Sequence, residues 1–139
     1  MCIRDSLEGA RYPTVAEKIE ALLQFDFSPR VATRDKIAVW YAFWGEAKSR
    51  PTYQRICRDI DIRAEKTLGD LFQAAIDEGN YREIKASTLA TGYTAISNGL
   101  WLNLLLGPQK TRRGQARQVA RNYLATALPQ HVSPQEPKQ

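Results

Sequence analysis

The sequence predicts an all-α bundle of five helices. Apolar residues recur at helical spacing in five separate stretches, and no stretch reads convincingly as an alternating strand. Pro, Gly or Asn punctuates the joints between them. The length of 139 residues suits one domain. With 43% hydrophobic and 25% charged residues the chain is near the average of globular proteins, which excludes a wholly disordered polymer.

The first helix is expected over residues 13–25. Val15, Ile19, Leu22 and Leu23 give its stripe, Pro13 suits its first turn, and Ser28-Pro29 breaks the chain after it. The second is expected over 33–48, with Thr33 as N-cap and Ile37, Trp40, Tyr41 and Trp44 at i, i+3, i+4 and i+7. The third is expected over 51–78, opened by Pro51 and stopped by Gly79-Asn80. Its stripe runs from Tyr53, Ile56, Cys57 and Ile60 through Ala64 and Leu68 to Leu71 and Ala75. Gly69 inside it costs about 1 kcal/mol relative to Ala.

The fourth helix is expected over 82–106. Residues 86–109 carry no charge, which is long enough to raise a membrane-spanning reading. Seven Ser, Thr and Asn side chains from Ser87 to Asn103 argue against lipid around it, so burial on more than one face is expected instead. Gly92, Ala95, Gly99 and Asn103 form a small-residue face that another backbone can approach. Gly107-Pro108 ends this helix. The fifth is expected over 111–128, with the stripe Ala116, Val119, Ala120, Tyr123, Leu124, Ala127 and Leu128. Short connections imply antiparallel neighbours in an orthogonal or up-down bundle.

The two ends read differently. Residues 1–6 (MCIRDS) lack the apolar run of a secretory signal and read as a non-native leader, leaving 7–128 as the helical domain. Residues 129–139 hold three prolines and read as a disordered tail.

Charge is unevenly placed. Residues 1–106 are balanced, whereas Lys110, Arg112, Arg113, Arg117, Arg121 and Lys138 face only Glu136 after them, so the net +5 sits at the C-terminal end. The four arginines are expected on the solvated side of the fifth helix. A basic helix of this kind also supports an alternative, a stand-alone interaction module that docks an acidic partner or a nucleic-acid backbone.

Motifs for catalysis are lacking. There is no Gly-rich phosphate loop, HExxH or GxSxG. Cys2 and Cys57 lie far apart, and His131 falls in the expected tail, so neither a zinc site nor a disulfide framework is expected. A cytoplasmic, non-enzymatic protein without metal or cofactor is the expectation. The binding signal is aromatic. Trp40, Tyr41 and Trp44, widened by Phe43 and joined by Tyr53 and Cys57, can wall a cavity that Trp101 or Tyr93 closes, and such walls attract quaternary ammonium groups.

Four segments in order resemble BetI-type regulators of the TetR family. AVWYAFWGEA at 38–47 resembles their AWLAFWAEA run, and RPTYQRI at 50–56 resembles the DPALARL run after it. NGLWL at 98–102 resembles IDGLWL, and RNYL at 121–124 resembles the ARDYL-like final helix. The resemblance covers about residues 13–128. It implies a ligand-binding and dimerisation domain of a transcriptional repressor, with the last two helices pairing across a two-fold axis into a four-helix interface. Gly92, Ala95, Gly99, Asn103, Ala116, Val119, Ala120, Tyr123 and Leu124 are the expected interface.

It further implies a small-molecule effector, choline in the named regulators, and operator DNA bound through an N-terminal helix-turn-helix. Nothing before Pro13 is long enough for that unit, so the chain is expected to be N-terminally truncated. Arg50 stands where the family has an acidic N-cap, with Ser49 as a substitute, and Asn98 replaces an Asp.

Overall fold

The computed structural model describes residues 12–108 and 112–138. The expectations for residues 1–6, for Cys2 and for the first residue of the fifth helix, Thr111, lie outside the described residues. Among the described residues five helices follow one another: α1 Val15–Asp26, α2 Arg34–Ala47, α3 Pro51–Gly79, α4 Ala86–Leu106 and α5 Arg113–Ala127. All five expected helices are present, with no end displaced by more than four residues.

The ends have local causes. At α1 the N-cap is Thr14, so Pro13 stands outside the helix. Thr14 Oγ1 accepts from the Glu17 amide while the Glu17 carboxylate accepts from the Thr14 amide, which satisfies two otherwise orphaned donors. Thr33 caps α2 as expected. No side chain caps α3 at Arg50. Ser49 does not substitute, because its hydroxyl donates to Glu46 O at the end of α2. Helix α3 stops at Asn80, whose φ of 55° is the left-handed turn that Asn tolerates. Residues 82–85 are not helical, so α4 begins four residues later than expected.

Helix α3 packs on α4 and α4 on α5, while α1 bridges α3 and α5 and α2 leans on α3 and α4. The core draws on Ile19, Leu22, Leu23, Phe72, Tyr93 and Leu124 at its centre. The third-helix stripe is used unevenly. Leu68, Leu71 and Ala75 are buried together with Phe72 and Ile76, but Ile56, Ile60 and Ile62 are exposed. The N-terminal half of α3 therefore projects beyond the core, with Cys57 its only buried residue before Leu68.

Two expectations are corrected. Arg121 is not on a solvated face: only 1% of it is exposed. Its guanidinium reaches Glu20 on α1 through Nη1–Oε2 at 2.7 Å and Nη2–Oε1 at 2.5 Å. Nor is the segment after Pro129 a loose tail. Val132 is buried, and His131 is held by Tyr81 Oη at 3.1 Å and Glu78 Oε1 at 3.2 Å. The Tyr81 hydroxyl also accepts the Gln130 amide. Further on, Glu136 pairs with Arg117. A buried apolar residue and a ring-to-ring hydrogen bond outweigh the entropy that three prolines were expected to leave in place.

Candidate functional site

Helix α2 presents a row of aromatic rings because Trp40, Tyr41, Phe43 and Trp44 fall within five residues of one helix. Trp40 and Trp44 stack one turn apart with centroids 6.2 Å apart, and Tyr41 meets Trp44 edge-on at 5.1 Å. Phe43 carries the row onward, to Trp40 at 6.4 Å and to Tyr53 of α3 at 5.1 Å. All five rings are half-buried. The turn at 48–50 is short enough to fold Tyr53 back against α2, and Phe43 is the link between them. The Arg50 guanidinium lies 5.7 Å from the Tyr53 ring centre, so one ring already faces a cation of the chain itself. Cys57, one turn beyond Tyr53, is buried and lies apart from the main core.

Trp101 and Tyr93 stand elsewhere. They face Asp26, the last residue of α1. The Tyr93 hydroxyl donates to Asp26 Oδ2 at 2.7 Å, and the Trp101 indole N–H donates to Asp26 O at 2.8 Å. Burial pushes the Asp26 carboxyl up to about 7, and the Tyr93 hydrogen bond offsets only part of that rise. Burial likewise drives the Tyr93 phenol well above its usual range, with the Asp26 charge adding to it. Ser97, one turn along α4, keeps a buried hydroxyl without a partner among the described residues. Tyr41 ties the aromatic row to α4, its hydroxyl donating to Asn98 O at 2.5 Å. The position where Asp was expected in this family thus serves α2 through its backbone carbonyl.

The expected association face divides in two. Ala116, Ala120 and Leu124 are buried in the core of the single chain, so they are not available to a partner. Gly92 is taken up as well: the Tyr123 hydroxyl sits where a Cβ would be. Ala95, Gly99, Asn103 and Val119 face outward. Leu102 and Leu106 join them, the latter 75% exposed. Of the α5 stripe, Ala116, Ala120, Leu124 and Leu128 pack inward, Tyr123 and Ala127 are partly buried against the same core, and Val119 is left in solvent.

Arg34 had no expected role. Its Nε donates to Leu104 O at 3.0 Å and its Nη2 to Gly107 O, closing the carbonyl end of α4. Asp26, Arg34 and Glu20 carried no motif, because each partner lies about 70 to 100 residues away. Among the described residues no three His, Cys, Asp or Glu side chains cluster as metal ligands, and no helix is long and apolar enough to cross a membrane.

The backbone superposes on the crystal structure of a protein assigned as a transcriptional regulator from Pseudomonas aeruginosa PAO1. The TM-score is 0.79 at 22% identity, over 89% of this chain and 59% of that one, which defines the fold as this type of all-α helical bundle. The chain belongs to the family of BetI-type transcriptional repressors, as a C-terminal domain: the family's model matches residues 15–129. It is 29% identical to HTH-type transcriptional regulator BetI 1 of Chromohalobacter salexigens over 94% of its own length and 61% of the relative's. It is 28% identical to BetI of Brucella anthropi over 85% and 58%. The chain thus spans a little over half the length of the curated relatives it matches.

Proposed function

We propose that the chain is the effector-sensing and dimerisation part of a cytoplasmic transcriptional repressor, acting as a homodimer. Family membership supports the regulator reading. The observation that carries the dimer is the outward face shared by α4 and α5, where Ala95, Gly99, Leu102, Leu106 and Val119 leave apolar and small groups in solvent. A second copy related by a two-fold axis would cover this face with its own, giving four helices in contact. Operator DNA would be read by a helix-turn-helix outside this chain.

The effector would be a small cation such as choline. Trp40, Trp44 and the rings of Tyr41 and Tyr53 supply the electron-rich faces it needs, with Cys57 one turn beyond Tyr53, while Trp101 is engaged with Asp26 instead. Effector binding shifts the population between two spacings of the DNA-reading parts, by as much as it prefers one over the other. The alternative, a stand-alone module docking acidic partners with its basic last helix, is weakened by Arg121, which is spent inside the fold.

Light scattering at tens of micromolar tests the dimer, and a monomer there removes this reading. Choline, betaine and a neutral isostere, titrated against tryptophan fluorescence and melting temperature, test the effector. A response to the cations alone supports it. No response to any quaternary amine removes choline while leaving the regulator intact.

A further inference from the structure

A cavity of about 590 Å³ opens where the end of α1 and the start of α2 meet the end of α4 and the start of α5. That volume is within the range of small-molecule sites, about 300–1,000 Å³. None of its lining residues belongs to the aromatic row or to the outward face of α4 and α5. Its floor is apolar, made by Phe27, Ala32 and Leu104, all at least nine-tenths buried. Its rim is cationic: Arg34, Arg112, Arg113 and Arg117 line it, and among the described residues no carboxylate does.

The four arginines are differently engaged. Arg34 is balanced by the carbonyl end of α4. Arg117 holds Glu136 of the C-terminal segment, with Nε and Nη2 each 2.7 Å from Oε1. Arg112 and Arg113 have no carboxylate partner among the described residues. Gly114 also lines the cavity, so the amide end of α5 opens on it and adds to the positive field. The chain supplies its own indication of what such a rim holds: Glu136 is the one acid in residues 107–139, and it comes to this arginine cluster.

We propose that this cavity binds a small organic anion. A carboxylate or phosphate head pairs with the guanidinium groups of Arg112 and Arg113, whose planar forks suit it. An apolar body lies on Phe27, Ala32 and Leu104. Glu136 acts as an internal competitor, because it occupies Arg117 until a ligand head draws that side chain inward.

Titration calorimetry at low salt, with octanoate as probe and octylamine as control, tests the site. Octanoate is expected to bind one per chain with Kd below about 1 mM. The double variant Arg112→Ala/Arg113→Ala is expected to weaken it by about ten-fold or more, since two charge-assisted contacts go. Both residues are exposed, so the variant is expected to melt as the parent does. Glu136→Gln is expected to tighten octanoate by about two- to five-fold by releasing Arg117. Equal binding of octylamine, unchanged affinity in the double variant, weaker binding in Glu136→Gln, or no saturable heat with octanoate at 10-fold the expected Kd overturns the proposal. Each of these readouts is independent of choline and of the dimer.

Discussion

Arg121 of the last helix grips Glu20 of the first through two hydrogen bonds, at a site where the arginine is 99% removed from solvent. The two residues are 101 positions apart, so the contact closes the bundle. Burial raises the Glu20 carboxyl, but the bonds from Arg121, helped by Gln24, more than reverse this and hold it below its usual value. One guanidinium nitrogen, Nε, has no partner among the described residues, so the pair is not fully satisfied.

Breaking this pair from one side is expected to be worse than removing it. Glu20→Ala strands a buried cation and is expected to cost about 3 kcal/mol. Glu20→Leu/Arg121→Met is expected to recover most of that loss, since an apolar pair of similar volume has no charge to desolvate. Urea denaturation of both variants checks this, and a double variant less stable than Glu20→Ala contradicts it.

Asp26 makes stability depend on pH in the opposite sense to a typical carboxylate. Its folded pKa of about 7 lies above the ordinary 3.8, so the protonated form is favoured by folding. The stabilisation is full below pH 3.8 and is lost as pH rises through 7, amounting to no more than about 4 kcal/mol at the limit. Glu20 acts the other way, losing its contribution only as pH falls below about 4.5. Between pH 5 and 8 the melting temperature is therefore expected to fall as pH rises. Asp26→Asn keeps an acceptor for Tyr93 and is expected to flatten the profile, which calorimetry at several pH values reads directly.

Gly92 and Tyr123 form a matched pair between α4 and α5. A Cβ at position 92 would strike the Tyr123 hydroxyl and lie 3.1 Å from Cζ. Helix propensity favours Ala by about 1 kcal/mol, but the displaced ring is expected to outweigh it, so Gly92→Ala is destabilising by about 1 kcal/mol net. Removing the hydroxyl relieves the closest approach. Gly92→Ala in a Tyr123→Phe background is accordingly expected to be neutral or stabilising in the same melting assay.

Gly99 and Val119 separate folding from association. Nothing lies within 4 Å of a Cβ at Gly99, and Val119 is 51% exposed. Gly99→Glu and Val119→Glu are each expected to leave the helical content unchanged and to halve the mass seen by light scattering. Ala120→Glu, one residue along at a fully buried site, is expected to unfold the chain instead. A dimer that survives both exposed changes places the interface elsewhere.

Much of the fold was legible in the residues. Thr33, Pro51 and Gly79-Asn80 announced their helix ends because capping and left-handed turns are local matters, decided within four residues. The stripe of α5 was legible too, yet its split was not: periodicity says which residues share a face, not how wide the covering neighbour is. Arg121 illustrates this. At 100° per residue it lies within about 20° of Leu128, so its direction was readable, but its type argued for solvent. Only Glu20, brought close by α1, makes burial tolerable there.

Local sequence thus determined the helices, their caps and the candidate rings, since those depend on neighbours three or four residues apart. Tertiary structure alone decided which side of each helix stays open, that His131 and Val132 pack rather than trail, and that Asp26, Arg34 and Glu20 find partners at all. Those outcomes depend on contacts between segments some 50 to 100 residues apart, and desolvation sets their energy only once the bundle has closed.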